Sequence, residues 1–383
     1  MKRTVGLALL ALFSAGMVFA EVKAKVEGYA GLKINEMTHS RNEIDGDVQT
    51  DKDNVSWGYG DKKNIKVVGT LEAENEKKDM GLVFNIKTNG TEIGIGDEAK
   101  VWAKLGPAKF QFGRIREKTL RGSSVDWKLR DIPGVKLEDD VFAMFNPKMG
   151  MAVSAGSSEG FFAGLALDAG DENGIQTEDM LKNIHAGIGY TNGGLFGVKA
   201  AYKGNAAEDH YGRIELGASV FAVQNNTIEL GVKIPLAKDN ADGYVNIIGA
   251  VIGKAGQLDY KGHIYADIGR ETGKSGSAAV KPSFGFDFGA EYALEAFSVG
   301  ATGKYGIAFM NDSGNGMECS YMSNSMGILA YVKKPFSGGY LMAGIGDECT
   351  LTSESEETDG AGKIKEDSVR NQFFIPVGIQ FKL

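Results

Sequence analysis

Leu258-Asp259-Tyr260-Lys261-Gly262-His263-Ile264-Tyr265-Ala266-Asp267-Ile268 alternates apolar or small residues with mostly polar ones at every step. One face carries Leu258, Tyr260, Gly262, Ile264, Ala266 and Ile268; the other carries Asp259, Lys261, His263, Tyr265 and Asp267. A period of two is the signature of a strand with unlike faces, and helical spacing does not produce it. Ser283–Tyr292 repeats the pattern, with Phe284, Phe286, Phe288, Ala290 and Tyr292 opposite Ser283, Asp287 and Glu291. So do Ile228, Leu230, Val232 and Ile234 against Glu229 and Lys233. At the chain end Phe373, Ile375, Val377, Ile379, Phe381 and Leu383 share one face.

Working outward from these segments, strands are expected near 22–36, 62–73, 79–88, 92–104, 107–115, 148–156, 161–169, 184–191, 194–203, 213–223, 227–235, 244–253, 258–269, 282–293, 297–308, 320–333, 339–349 and 370–383. The connections tend to alternate in length. Residues 204–212, 236–243, 270–281, 309–319 and 350–369 are long and polar, while 192–193, 224–226, 254–257, 294–296 and 334–338 are tight; 89–91 is short where a long loop is due. Alternation alone fits a soluble sandwich, whose apolar faces meet inside, or a membrane barrel, whose apolar face meets lipid. Long loops on one rim and short turns on the other decide for the barrel. Strands of ~9–11 residues are also what a tilted crossing of a bilayer needs. The fold class expected is all-β: a transmembrane antiparallel β-barrel of 16–18 strands, eighteen being the count of segments, with long extracellular loops and short periplasmic turns.

Composition agrees. Of 383 residues 54 are Gly and only 7 are Pro; that Gly content would penalise helices by up to ~1 kcal/mol per site. Residues 1–20, MKRTVGLALLALFSAGMVFA, read as a secretory signal peptide, with Lys2 and Arg3 before an apolar stretch and cleavage after Ala20. Its removal leaves 40 Lys+Arg against 50 Asp+Glu, a net charge of −10, which argues against nucleic acid as a partner. No later stretch reaches the ~18 consecutive apolar residues of a membrane helix. Two cysteines, Cys319 and Cys349, are too few for a disulfide scaffold. They fall at one rim of a hairpin pair, and a disulfide between them is expected if strand stagger closes the gap to ~7 Å. No linker divides residues 21–383, so they form one domain.

The segment Trp102-Ala103-Lys104-Leu105-Gly106-Pro107-Ala108-Lys109-Phe110-Gln111-Phe112-Gly113-Arg114 resembles the hairpin of general bacterial porins that ends in an aromatic-x-aromatic-Gly-Arg run. In that family the loop after this run folds inward and narrows the channel. The resemblance implies that Arg114 is the wall arginine of the constriction and that 116–147 is the constriction loop. Arg121, Asp131, Glu138, Asp139 and Asp140 are then constriction candidates within the loop, and assembly as a homotrimer follows from the same likeness. The loop lacks a Pro-Glu-Phe-Gly-like core, Asp131-Ile132-Pro133-Gly134 being its nearest piece, and the chain ends in Leu383 rather than an aromatic residue.

Enzymatic motifs fail on context. Gly156-Ser157-Ser158-Glu159-Gly160 matches a hydrolase pattern but lies between two strands, where no nucleophile elbow forms. Gly269–Ser275 resembles a phosphate loop with one residue too few between its glycines and no helix after it. The four histidines, His39, His185, His210 and His263, lack metal spacing, and no acidic stretch completes a calcium loop. No catalytic residue, cofactor or metal is assigned.

The polar faces of the strands would line the lumen. They carry sixteen basic residues, among them Lys100, Lys104 and Lys109, against nine acidic ones. A positive wall favours anions. The function expected is passive diffusion of small hydrophilic solutes or ions across a bacterial outer membrane, with an anion preference centred on Arg114, Lys100, Lys104 and Lys109. A non-conducting surface protein or adhesin, working through its acidic loops, is the rival reading.

Overall fold

The computed structural model describes residues 21–58, 65–88, 92–115, 117–118, 143–145, 150–156, 159–168, 180–204, 210–237, 243–272, 278–280, 282–314, 316–358 and 362–383. Residues 1–20, read as a signal peptide, lie outside them. In chain order the strands are β1 (Glu21–Ile44), β2 (Asp47–Gly58), β3 (Ile65–Glu74), β4 (Met80–Thr88), β5 (Ile93–Leu105), β6 (Ala108–Arg114), β7 (Glu117–Lys118), β8 (Ala143–Phe145), β9 (Gly150–Gly156), β10 (Gly160–Asp168) and β11 (Ile184–Asn192). They continue as β12 (Phe196–Gly204), β13 (His210–Val220), β14 (Asn226–Ala237), β15 (Gly243–Ala255), β16 (Leu258–Thr272), β17 (Ala278–Val280), β18 (Ser283–Ala293), β19 (Ser298–Gly314), β20 (Met317–Phe336), β21 (Gly339–Thr358) and β22 (Gly362–Lys382). One helical turn, α1 (Met180–Asn183), precedes β11.

Successive strands of the main sheet pair antiparallel, β6 with β9 and β16 with β18 among them, and β1 pairs with β22, so the sheet closes on itself. β2 and β3 lie along the same edge of β1, β2 on its Lys33–Ile44 part and β3 on its Glu21–Ala30 part, and together act as one strand. β17 similarly extends β18, and β7 and β8 pair apart from the main sheet as a short ribbon. The result is a closed barrel of eighteen strands.

The alternating faces sort as a membrane barrel requires. Phe112, Leu165, Ile188, Leu230, Phe286, Ile328 and Ile345 point outward and are exposed, with Ile264 at 65% and Phe161 at 81%. A soluble sandwich would bury these side chains between sheets; exposed to water, each would forfeit about 1.5–3 kcal/mol of burial. Lipid removes that cost.

Glycine has a packing role here. Trp102, Phe162, Tyr265, Tyr331 and Phe374 lie directly across from Gly81, Gly189, Gly285, Gly300 and Gly346 in the pairing register. A Cβ on Gly300 would stand 2.3 Å from Tyr331 Cζ, and one on Gly346 would stand 2.5 Å from Phe374 Cζ. Each ring lies flat over a bare backbone, which shields the glycine and fixes the ring.

The lengths of the strands differ from expectation. Most of 309–319 and 350–369, expected as connections, is strand, and β1 runs eight residues past the end expected at residue 36. β1, β20, β21 and β22 have 24, 20, 20 and 21 residues, while β6 and β9 have 7 each. A bilayer crossing uses only ~9–11 residues, so β19 to β22 with β1 and β2 rise above the rest as a wall on the rim that carries 116–147. Polar cross-strand pairs hold this extension: His39 with Asp53 at 3.0 Å and Ser320 Oγ with Ser355 Oγ at 2.8 Å. At the opposite rim the connections are short, as in the turns around Gly106, Gly256 and Gly338, where positive φ values of 61°, 60° and 79° suit glycine.

The cysteines are corrected by the same register. Cys319 pairs with Glu356 and Cys349 with Met326, so seven residues, roughly 23 Å at ~3.3 Å per residue, separate them along the sheet. Both are free thiols. The expected stagger does not occur because the β20–β21 hairpin runs in unbroken register from its Phe336–Gly339 turn.

Candidate functional site: the inner wall of the barrel

On β5 and β6 the inward positions are Lys100, Trp102 and Lys104, facing Gly113, Gln111 and Lys109. Outward positions alternate with them, Val101 opposite Phe112 and Ala99 opposite Arg114. Arg114 thus shares the register face of Phe112, not that of the lysines, and it stands five residues, roughly 16 Å at ~3.3 Å each, along β6 from Lys109. The four do not form one cluster, because β6 carries Lys109 at the short-turn rim and Arg114 at the other. Arg121, Asp131, Glu138, Asp139 and Asp140 lie outside the described residues.

The charge count also changes. Register places Glu36, Asp47, Glu74, Asp168, Asp312, Glu348, Glu354, Glu356 and Glu366 inward, against Lys52, Lys254 and Arg370 as additional bases. The sixteen-to-nine excess nearly vanishes. Polarity on the extended strands masked Asp312, Glu354, Glu356 and Glu366 in the sequence, since they sit in stretches with no apolar alternation to assign a face, whereas Glu36, Asp168 and Glu348 lie within the expected strands but are not among the nine.

Most described inner-wall charges are paired. Lys25 Nζ is 3.1 Å from Glu72, Lys100 2.9 Å from Glu98, and Lys304 3.0 Å from Glu348. Lys333 bonds Glu291, which also accepts from Tyr331 Oη at 3.0 Å. His263 Nδ1 meets Asp287 at 2.6 Å, Asn246 donates to Asp267 at 2.7 Å, and His185 Nε2 is 3.4 Å from Asp168. Glu215 takes Arg213 Nε at 2.8 Å and Lys199 Nζ at 3.5 Å.

Burial of this wall is lopsided. The Lys199 and Glu215 side chains are 0% exposed, whereas those of Lys25 and Glu72 are 47% and 35% exposed. Gln111, His185, Glu229 and Lys233 are buried as well, along β6 to β14, and a second buried group on β19 to β22 comprises Thr302, Lys304, Asp312, Glu348 and Gln372. Ile115, at the root of 116–147, is buried against Ala152, Ala166, Ala201 and Phe162, all of which have inward register positions. β8 of the β7–β8 ribbon has its backbone against β10, β11 and β12.

No family model and no curated protein matches the chain. Among solved structures it is similar to outer-membrane expressed OmpT of Vibrio cholerae (11% identity, 94% of this chain and 98% of that one, TM-score 0.46). Others are the anion-selective porin from Comamonas acidovorans (11%, 95% and 100%, 0.42) and Pseudomonas aeruginosa OpdL (10%, 95% and 99%, 0.43). Similarity at these levels assigns this chain to no family.

Proposed function

We propose that this protein is a passive channel for small hydrophilic solutes in a bacterial outer membrane. The observation that carries the reading is the closed eighteen-strand barrel with an apolar outer face and a charged inner wall. Barrels of 16–18 strands are wide enough to enclose an aqueous channel. Among the described residues no helix is long and apolar enough to cross a membrane, so the strands are what spans it. No inner-wall group is read as a nucleophile, and no energy coupling is implied.

Part of 116–147 is proposed to enter the lumen and narrow it. Support comes from the inward burial of Ile115, the position of the β7–β8 ribbon, and the covered charges from β6 to β14. With inner-wall charge nearly balanced, selectivity follows the open sector, where Lys23, Lys25 and Lys87 stand with Glu27, Glu72 and Glu74; a modest anion preference is kept as the expectation. Homotrimer assembly is the accompanying expectation, and native mass spectrometry in detergent reads it directly. Liposome swelling with sugars of graded size tests the channel itself. Swelling with small sugars and a sharp size cutoff supports it; liposomes that stay impermeable to every sugar support the adhesin reading instead.

A further inference from the structure

On the outer face of β9–β13 small side chains interrupt the apolar surface. Ala155, Ala163, Ala186 and Ala200 line a depression of about 600 Å³ that opens toward lipid, with Leu165 and Ile188 standing exposed at its sides. The inner face of the same wall is filled. Ile115, Ala152, Ala166, Ala201 and Phe162 pack together there, and the backbone of β8 lies against β10, β11 and β12. The depression is thus backed by packed structure that holds its shape.

A ridge of the same depth lies three strands away. Val101, Phe112 and Met151 are consecutive cross-strand neighbours on β5, β6 and β9, all outward and exposed. Phe112 stands four residues above Ala108, the short-turn end of β6. Ile188 stands four above Asn192 on β11, and Ala200 four above Phe196 on β12. Ridge and depression therefore sit at one level of the bilayer, as a rotation about the membrane normal requires. Eighteen strands divide the circumference into steps of about 20°. From β6 through β9 and β10 to β11 is three steps, and a closed ring of three copies needs its two contact faces about 60° apart. Leu230 on β14 has the same depth beyond the depression's other side, but it rises alone between Ala218 and Gly249.

We propose that the Val101–Phe112–Met151 ridge of one copy of this chain seats in the alanine-lined depression of the next, closing a three-fold assembly. Five strands ~4.8 Å apart under an apolar band ~25 Å tall offer about 600 Å² in projection. Interdigitated side chains add to that, which brings it toward the ~800 Å² per partner of a stable interface. Inside a bilayer the gain comes from close packing, and small residues are what let two walls approach. The interface gives the expected homotrimer its contact faces, and it rests on the channel reading only for the barrel's place in an outer membrane.

Cross-linking and native mass spectrometry test the interface without reference to conduction. In a Cys319→Ser, Cys349→Ser background, Phe112→Cys with Ala200→Cys, treated in membranes with a short bismaleimide, should give covalent trimers on denaturing gels. Either cysteine alone should give only monomer, because unlike faces meet. Ala163→Trp with Ala186→Trp fills the depression and should shift native mass spectra from trimer to monomer, with heat-resistant gel mobility showing that the barrel is folded. Phe112→Ala, which adds no bulk, should lower the trimer share several-fold. Trimers that survive either change, cross-linking through Leu230→Cys in place of Phe112→Cys, or a monomeric native protein overturn the interface. A native monomer that carries a lipid lost from the tryptophan variant would assign the depression to an acyl chain instead. Cross-linked trimers without current in a planar bilayer retain the interface and refute the channel, while a native protein that conducts as a monomer does the reverse.

Discussion

At Gly346 a hydrogen is the whole side chain because Phe374 occupies the space, held from the other sides by Leu329, Tyr331 and Met342. Gly346→Ala is therefore expected to destabilise the folded barrel by about 1–3 kcal/mol, the range for overpacking a filled site. Gly69→Ala, where nothing stands within 4 Å of the added carbon, should stay within ~0.5 kcal/mol. Equilibrium unfolding by urea in lipid vesicles compares the two, and equal losses would show that the ring–glycine fit is not the cause. A second residue-scale test concerns Glu215, which holds Lys199 and Arg213 in the covered wall. Glu215→Gln leaves the buried Lys199 ammonium without its counter-charge and should cost about 3 kcal/mol in the same assay. Alternation placed these side chains on the inward face from sequence alone. It said nothing of which lysine meets which carboxylate, because partners on adjacent strands depend on register, and register depends on turns such as Phe336–Gly339 that fix the stagger of a whole hairpin.

Elements were legible where one face meets lipid. β14, β16 and β18 each carry mostly branched or aromatic side chains in one alternating row, broken only by Gly262, Ala266 and Ala290 between Leu258 and Tyr292, and their expected limits agree with the structure to within a few residues. The upper parts of β1, β21 and β22 were not legible, since both faces there meet water and Thr, Ser and Glu replace the apolar row. Hydrogen-bonded pairing carries those extensions, so their sequence looks like loop. The hairpin tip from Ser353 to its register partner Asp367 is accordingly expected to be dispensable: closing it with a Gly-Ser turn should leave the heat-resistant mobility of the folded barrel in detergent gels unchanged, and loss of that mobility would mean the wall is needed for closure. Within the tip, the Lys365 ammonium and the Ser353 hydroxyl hold the Asp367 carboxyl below its ordinary value. Its contribution is thus present at neutral pH and fades only as pH falls through that lowered value, and amide exchange of the tip should quicken on acidification and slow again on return. Deleting residues 122–140 tests the proposed constriction: larger sugars should then enter liposomes, and an unchanged size limit would place the constriction elsewhere.

For the whole molecule, closure follows from an even set of strands joined by tight turns on one rim, and the register confirms it where β1 meets β22. What the inside does depends on a sum over all walls. The near balance of inner charge, with paired residues along most of the ring, leaves selectivity to the residues that face open water, and screening over ~10 Å at 0.1 M salt mutes the tall wall's carboxylates at the wide mouth. Single-channel recording of the purified protein in a planar bilayer tests the channel most directly. Discrete, reproducible conductance steps that persist at low voltage are the predicted result, with a reversal potential in a KCl gradient of modest anion-selective sign. Insertion of folded barrel, verified by heat-resistant gel mobility, without any steady ionic current would contradict it.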